Sequence, residues 1–264
     1  MTPATDAPLT IGMVSLTVHD LDAVTAFYRQ AMGLSVLSAD AQSATLGAGD
    51  RTLLELRRDP AARRRSAREA GLFHTAFLMP SRADLGRWTR HAAATKAPIV
   101  GAADHLVSEA IYLTDPEGNG VEIYADRPLS EWTWKDKLVV MASDPLDIDA
   151  LVASGGGEAW TGFPQGSVIG HVHLQVGAIA PAEAFYVGVL GLDVTCHYPG
   201  ATFYSSGGYH HHIATNIWNS RGAAVRDYPS TGLADVEILA AEAPPQSLRD
   251  PWGTAITVTT RPPA

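Results

Sequence analysis

Apolar and polar positions largely alternate in "IGMVSLTV" (11–18), "RTLLEL" (51–56), "GLFHTAFL" (71–78) and "IGHVHLQV" (169–176). A period of two belongs to strands with one face turned to a core. Helical spacing interrupts them, as at roughly 81–95, where Leu85 and Trp88 stand three apart on one face. "DPEGNGVEIY" (115–124) and "DPWGTAITVT" (250–259) place an Asp-Pro-x-Gly turn before a closing strand, as a hairpin requires. Strands mixed with short helices predict an α+β chain.

The pattern repeats. "IGMVSLTV" matches "IGHVHLQV", Phe27-Tyr28 matches Phe185-Tyr186, and Gly33-Leu34 matches Gly191-Leu192, each pair 158 positions apart. These are the openings of modules one and three, each reading as strand, helix and further strands. "GLFHTAFL" is placed like "GLADVEIL" (232–239), which defines modules two and four. Leu78 to Asp115 spans 37 positions but Leu239 to Asp250 only 11, so module four is truncated, with its helix and two strands expected to be lost or remodelled. The expected division is a first domain at 9–125 (modules one and two), a connector at 126–168 rich in Pro and Gly, and a second domain at 169–262 (modules three and four).

Composition narrows the class. The 264 residues are 46% hydrophobic and 18% charged, a soluble globular balance with ample core. No run of apolar residues is long enough to cross a membrane, and "MTPATDAPLT" has no basic segment followed by an apolar run, so a cytoplasmic location is expected. A net charge of −9 argues against a nucleic-acid surface, although six arginines lie between Arg57 and Arg68. That run reads as a solvated connector, with anion binding as a second choice. The single cysteine, Cys196, reads as a buried small residue and admits no internal disulfide. Assembly into a homo-oligomer is left open.

The openings "HVHLQV…FY…LGL" and the closing "DPEGNGVEIY" resemble the vicinal oxygen chelate superfamily over nearly the whole chain. "DHLVSEAIYLTDPEGNGVEIYADRP" and "GGYHHHIATN" look like its bacterial two-domain catechol-2,3-dioxygenase group. The resemblance implies tandem βαβββ modules forming two half-open barrels, with metal ligands on the opening and last strands of facing modules. The opening-strand positions hold Met13, His74, His171 and Asp235, and the last-strand positions Glu122 in module two and Thr257 in module four. Only if module two faces module three do the good donors His74, Glu122 and His171 meet. Two imidazoles and one carboxylate are the facial set of non-haem Fe(II) oxygenases; Mn(II) takes the same donors. His173 is then a rival ligand or a support for the ligands, and Glu55 a loose end that Arg57 and Arg58 would pair.

The implied activity is extradiol ring cleavage of a catechol-like or hydroquinone-like aromatic by O2, which needs a group that accepts and returns a proton. In "FYSSGGYHHHIA" (203–214) the match falls on His211, with His212 the alternative. If the triplet lies on a strand, His210 and His212 point the other way. Tyr112 stands ten positions before Glu122, where such enzymes place a substrate-binding tyrosine, and His105 lies two residues out of register with another active-site histidine. A plain half-buried strand tyrosine is the bland alternative for Tyr112. The competing functions are a glyoxalase-like metal-dependent isomerase or lyase, for which Ala214 stands near the place of a missing fourth ligand, and a non-catalytic binder of an aromatic metabolite or drug. Module four is expected to supply part of the pocket wall.

Overall fold

In the computed structural model, which describes residues 3–242 and 244–262, a short helix α1 (Pro3–Asp6) leads into module one. This comprises β1 (Leu9–Val18), α2 (Leu21–Phe27) continued by a π-helical turn at Tyr28–Met32, β2 (Ser35–Ala39), β3 (Ser43–Ala48) and β4 (Arg51–Arg58). Module two repeats the order with β5 (Gly71–Leu78), α3 (Arg82–Thr95), β6 (Ile99–Asp104), β7 (Ser108–Thr114) and β8 (Gly120–Asp126). The connector carries β9 (Trp134–Lys135), β10 (Leu138–Val139) and α4 (Ile148–Ser154). Module three is β11 (Val168–Gln175), α5 (Ile179–Gly188), β12 (Asp193–Tyr198), β13 (Ala201–Ser205) and β14 (Ile213–Asn216). Module four is β15 (Gly232–Ala240), β16 (Gln246–Arg249) and β17 (Ala255–Thr260). Among its described residues the helix and one strand are missing rather than two strands, because β16 pairs directly back onto β17.

The modules pair across the two halves of the chain. One curled sheet runs β16-β17-β15-β1-β4-β3-β2 and joins modules four and one; the other runs β12-β13-β14-β11-β5-β8-β7-β6 and joins three and two. Both seams are antiparallel opening strands, with Ser15 opposite Asp235 in the first and His173 opposite His74 in the second. The inward residues Leu16, Leu54, Phe77, Ile123, Leu174 and Val236 belong to a single buried core shared by both sheets.

Within each half the repeated motifs explain each other. Asp115 Oδ1 accepts from the backbone N–H of Glu117 and Asn119, and Asp250 Oδ1 from Trp252 and Thr254, so each Asp-Pro-x-Gly turn is held by its own side chain. The tyrosine of each Phe-Tyr pair donates to that aspartate: Tyr28 to Asp115 at 3.4 Å and Tyr186 to Asp250 at 3.2 Å. Helices thus tie the two modules of each half together, while strands tie modules of opposite halves.

The arginine run is only partly solvated. Arg63 forms a two-pronged pair with Glu69 at 2.9 and 2.8 Å, and Arg65 donates to the carbonyls of Leu72 (2.7 Å) and Gly118. Cys196 is buried. No described helix is long and apolar enough to cross a membrane.

Candidate metal centre and its pocket

The central strands of the second sheet bring the three expected donors together. β5 and β11 lie side by side, and β8 runs parallel to β5 with Glu122 beside Ala76. His74, Glu122 and His171 therefore share one concave face, their donor atoms all within 4.8 Å of one another. Glu122 Oε2 stands 3.0 Å from His74 Nε2 and 3.4 Å from His171 Nε2. All three side chains are buried, and His74 Nε2 makes no hydrogen bond.

The electrostatics suit a cation. Burial pulls the His74 imidazole down to about 3, so the ring is neutral at neutral pH. Burial opposes ionisation of Glu122, yet His171 and His74 beside it hold its carboxyl well below the usual carboxylate range. A buried carboxylate without a cationic partner is costly, and among the described residues no Lys or Arg lines this cavity. A divalent ion would meet two imidazoles and one carboxylate, so the residues fit one. The equivalent face of the other sheet does not: Asp235 accepts from Thr257 Oγ1 at 2.9 Å, and Glu55 is taken by Ser15 (2.7 Å) and Arg57 (2.6 Å). Met13 offers no oxygen or nitrogen donor there.

The donors border a cavity of about 290 Å³ with aromatic walls from Phe73, Phe203 and Trp218. Among its described lining residues none comes from module four. The connector supplies a further part of the wall through Met141, Ala142 and Ser143. That corrects the expectation from the repeat, which could not anticipate a segment outside the repeating unit. The connector is pinned by a pair of backbone hydrogen bonds between Asp104 and Asp144, both 2.9 Å. It also holds His105, whose Nδ1 is 2.7 Å from the Ala142 carbonyl and whose Nε2 is 2.6 Å from the Tyr112 hydroxyl. Nδ1–H must donate to that carbonyl, so Nε2 accepts from Tyr112. Tyr112 sits directly across the β7–β8 ladder from Glu122, and burial, with the Glu122 charge, pushes its hydroxyl pKa well up. His173 also lines the cavity, with Nε2 bonded to the Asn216 amide at 3.0 Å and its ring 4.9 Å from that of His74.

The triplet departs from the expected alternation. β14 begins at Ile213, so His210, His211 and His212 lie in the turn before it, after Gly207 and Gly208 in left-handed conformations. Freed from the pleat, all three rings turn inward and are buried. Only His211 reaches the cavity, its ring 4.0 Å from that of His171 and 4.9 Å from Phe203. His210 stacks behind it against Tyr209 (4.0 Å) and Trp132 (5.2 Å). His212 turns away, with Nδ1 3.2 Å from Ser205 Oγ and 3.3 Å from the Ser206 amide. Sequence reasoning assigned no role to His210, to Asp126, whose Oδ1 lies 3.0 Å from His210 Nε2, or to the connector residues. For His210 and Asp126 the available signal was adjacency: one precedes His211, and the other closes the strand that carries Glu122.

A family profile described as Glyoxalase/Bleomycin resistance protein/Dioxygenase superfamily matches residues 10–123. Catechol-2,3-dioxygenase of Bacillus subtilis (strain 168) is 42% identical over 232 residues, which is 84% of this chain and 80% of that protein. Among solved structures, glyoxalase I from Zea mays superposes with a TM-score of 0.54 at 15% identity, covering 96% of this chain and 92% of its own. The cppA protein from Streptococcus pneumoniae TIGR4 does so with a TM-score of 0.60 at 10% identity, covering 94% and 97%. At such low identity these two share the fold alone.

Proposed function

Because the chain belongs to the glyoxalase/bleomycin resistance protein/dioxygenase superfamily, we propose that it is an extradiol ring-cleavage dioxygenase. It takes O2 and a catechol-like or hydroquinone-like aromatic, with Fe(II), or Mn(II) in its stead, held by His74, Glu122 and His171. The observation that carries this reading is the convergence of those donors at the floor of an aromatic-walled cavity. A divalent ion bound there supplies Lewis acidity toward the diol oxygens and a meeting point for the two reactants.

The chain's own residues supply the rest. Phe73, Phe203 and Trp218 offer faces and edges to one ring and exclude water. Tyr112, backed by His105, bonds a substrate oxygen beside Glu122. His211 takes the diol proton at its cavity-facing nitrogen and returns it later, and burial, with the neighbouring imidazoles, keeps its pKa low enough for the ring to start neutral. Against a glyoxalase-like isomerase stands Ala214. It pairs with His173 on β14 as Glu122 pairs with Ala76 on β8, and brings no fourth donor. The protein is read as cytoplasmic on composition.

The test is oxygen uptake and ring-opened product absorbance from anaerobically Fe(II)-loaded protein with a panel of catechols and hydroquinones. One O2 consumed per ring opened is expected. His211→Phe should cut turnover by roughly 10² to 10⁴ at unchanged iron content. No uptake with any substrate at full loading would contradict the assignment in favour of a binder of aromatic compounds.

A further inference from the structure

His211 does not stand alone behind the cavity. Its Nδ1 is 2.7 Å from His210 Nδ1, and His210 Nε2 is 3.0 Å from Asp126 Oδ1. Asp126 closes β8, four residues beyond Glu122, and its side chain is 18% exposed, whereas His210 is fully buried. The same Asp126 oxygen accepts from the Tyr209 hydroxyl at 3.2 Å, which in turn accepts from Tyr124 at 2.7 Å. A chain of hydrogen bonds therefore runs from a carboxylate at the edge of the protein to the ring that lines the cavity.

The protons along this chain follow from the chemistry of its ends. An ionised carboxylate only accepts, so His210 Nε2 carries the hydrogen that it donates to Asp126. A neutral imidazole has one N–H, which leaves His210 Nδ1 with a lone pair. At 2.7 Å from that lone pair, His211 Nδ1 must be the donor. His211 Nε2 is the nitrogen left over, without a proton, and His211 is the ring of the three that reaches the cavity. The His210 ring is fully buried and packs against Tyr209 (4.0 Å) and Trp132 (5.2 Å), which restrains it in line.

We propose that Asp126 and His210 are positioning residues that hold His211 in the Nδ1–H tautomer, with an unprotonated Nε2 presented to the substrate. This extends the reading of His211 as the acid–base group and follows the logic by which a buried acid orients a catalytic histidine. Unlike a direct His–Asp pair, a second imidazole stands in between. It carries the orienting effect from a carboxylate at the edge of the protein, so the relay adds no second carboxylate to the cavity lining.

The experiment is long-range ¹H–¹⁵N NMR of the full-length ¹⁵N-histidine-labelled, metal-free protein, with the His211 signals identified by their loss in His211→Gln. The wild-type protein should show His211 protonated at Nδ1 and bare at Nε2. His210→Phe and Asp126→Ala should shift it toward the Nε2–H or a mixed form. His210→Asn, which keeps an acceptor near the Nδ1 position, should restore the wild-type form. With iron loaded, His210→Phe should lower kcat at least about tenfold. Its KM and metal content should stay near wild type, and His210→Asn should recover most of the loss. A wild-type His211 protonated at Nε2 would overturn the proposal, as would a tautomer unaffected by His210→Phe. The tautomer is read without turnover, so a protein that consumes no O2 would count against the dioxygenase reading while the spectra still decide the relay.

Discussion

His212 is the member of the triplet that faces neither the cavity nor the relay, yet it matters for acid stability. Burial, with His210 beside it, pulls its pKa from an ordinary 6.5 to about 3. Between those values the unfolded chain binds a proton that the folded chain refuses. Its stabilising contribution is therefore present above about pH 6.5 and lost as the pH falls toward 3, at up to roughly 1.4 kcal/mol per pH unit. His74 has the same sign in the metal-free protein. Urea unfolding of metal-free protein between pH 7 and 4 should show this loss, and His212→Gln should flatten it by about one histidine's share; an unchanged slope would mean that His212 is protonated in the fold. The convergence of His74 and His171 was legible because they occupy corresponding places in a repeat. The orientation of the triplet was not, because alternation governs only residues within a strand. The glycine pair Gly207-Gly208 was the sign in the sequence that the chain turns there.

Helices and turns interlock in a way that the repeat announced without explaining. Phe-Tyr and Asp-Pro-x-Gly recur together because the tyrosine hydroxyl of one module seats the aspartate of the next. Removing that hydroxyl from Tyr186 leaves Asp250 with its backbone donors, so Tyr186→Phe should cost about 1–2 kcal/mol in chemical denaturation. Tyr28→Phe, at a bond of 3.4 Å instead of 3.2 Å, should cost less. Equal, negligible changes would show that packing alone holds these helices. Module four marks the limit of reading elements by length. The shortened interval between β15 and β17 implied lost structure, but a four-residue β16 at Gln246–Arg249 fits within it and recovers one strand.

The whole molecule is an exchange: each sheet takes one module from each half of the chain, and this brings His74, Glu122 and His171 onto one face, while among the described residues the other sheet holds no such cluster. The distribution of donors along the sequence was enough to anticipate that pairing. The connector was opaque, since its contribution to the pocket comes from where it crosses the sheet rather than from any motif. His74, Glu122 and His171 are proposed to bind one divalent ion together. Elemental analysis of protein purified without oxygen, comparing wild type with His74→Ala, Glu122→Ala and His171→Ala, tests it most directly. About one iron or manganese per wild-type chain is expected, with a large loss in every variant that keeps its fold, since each removes one of three donors. Full occupancy in any one of the folded variants would contradict it.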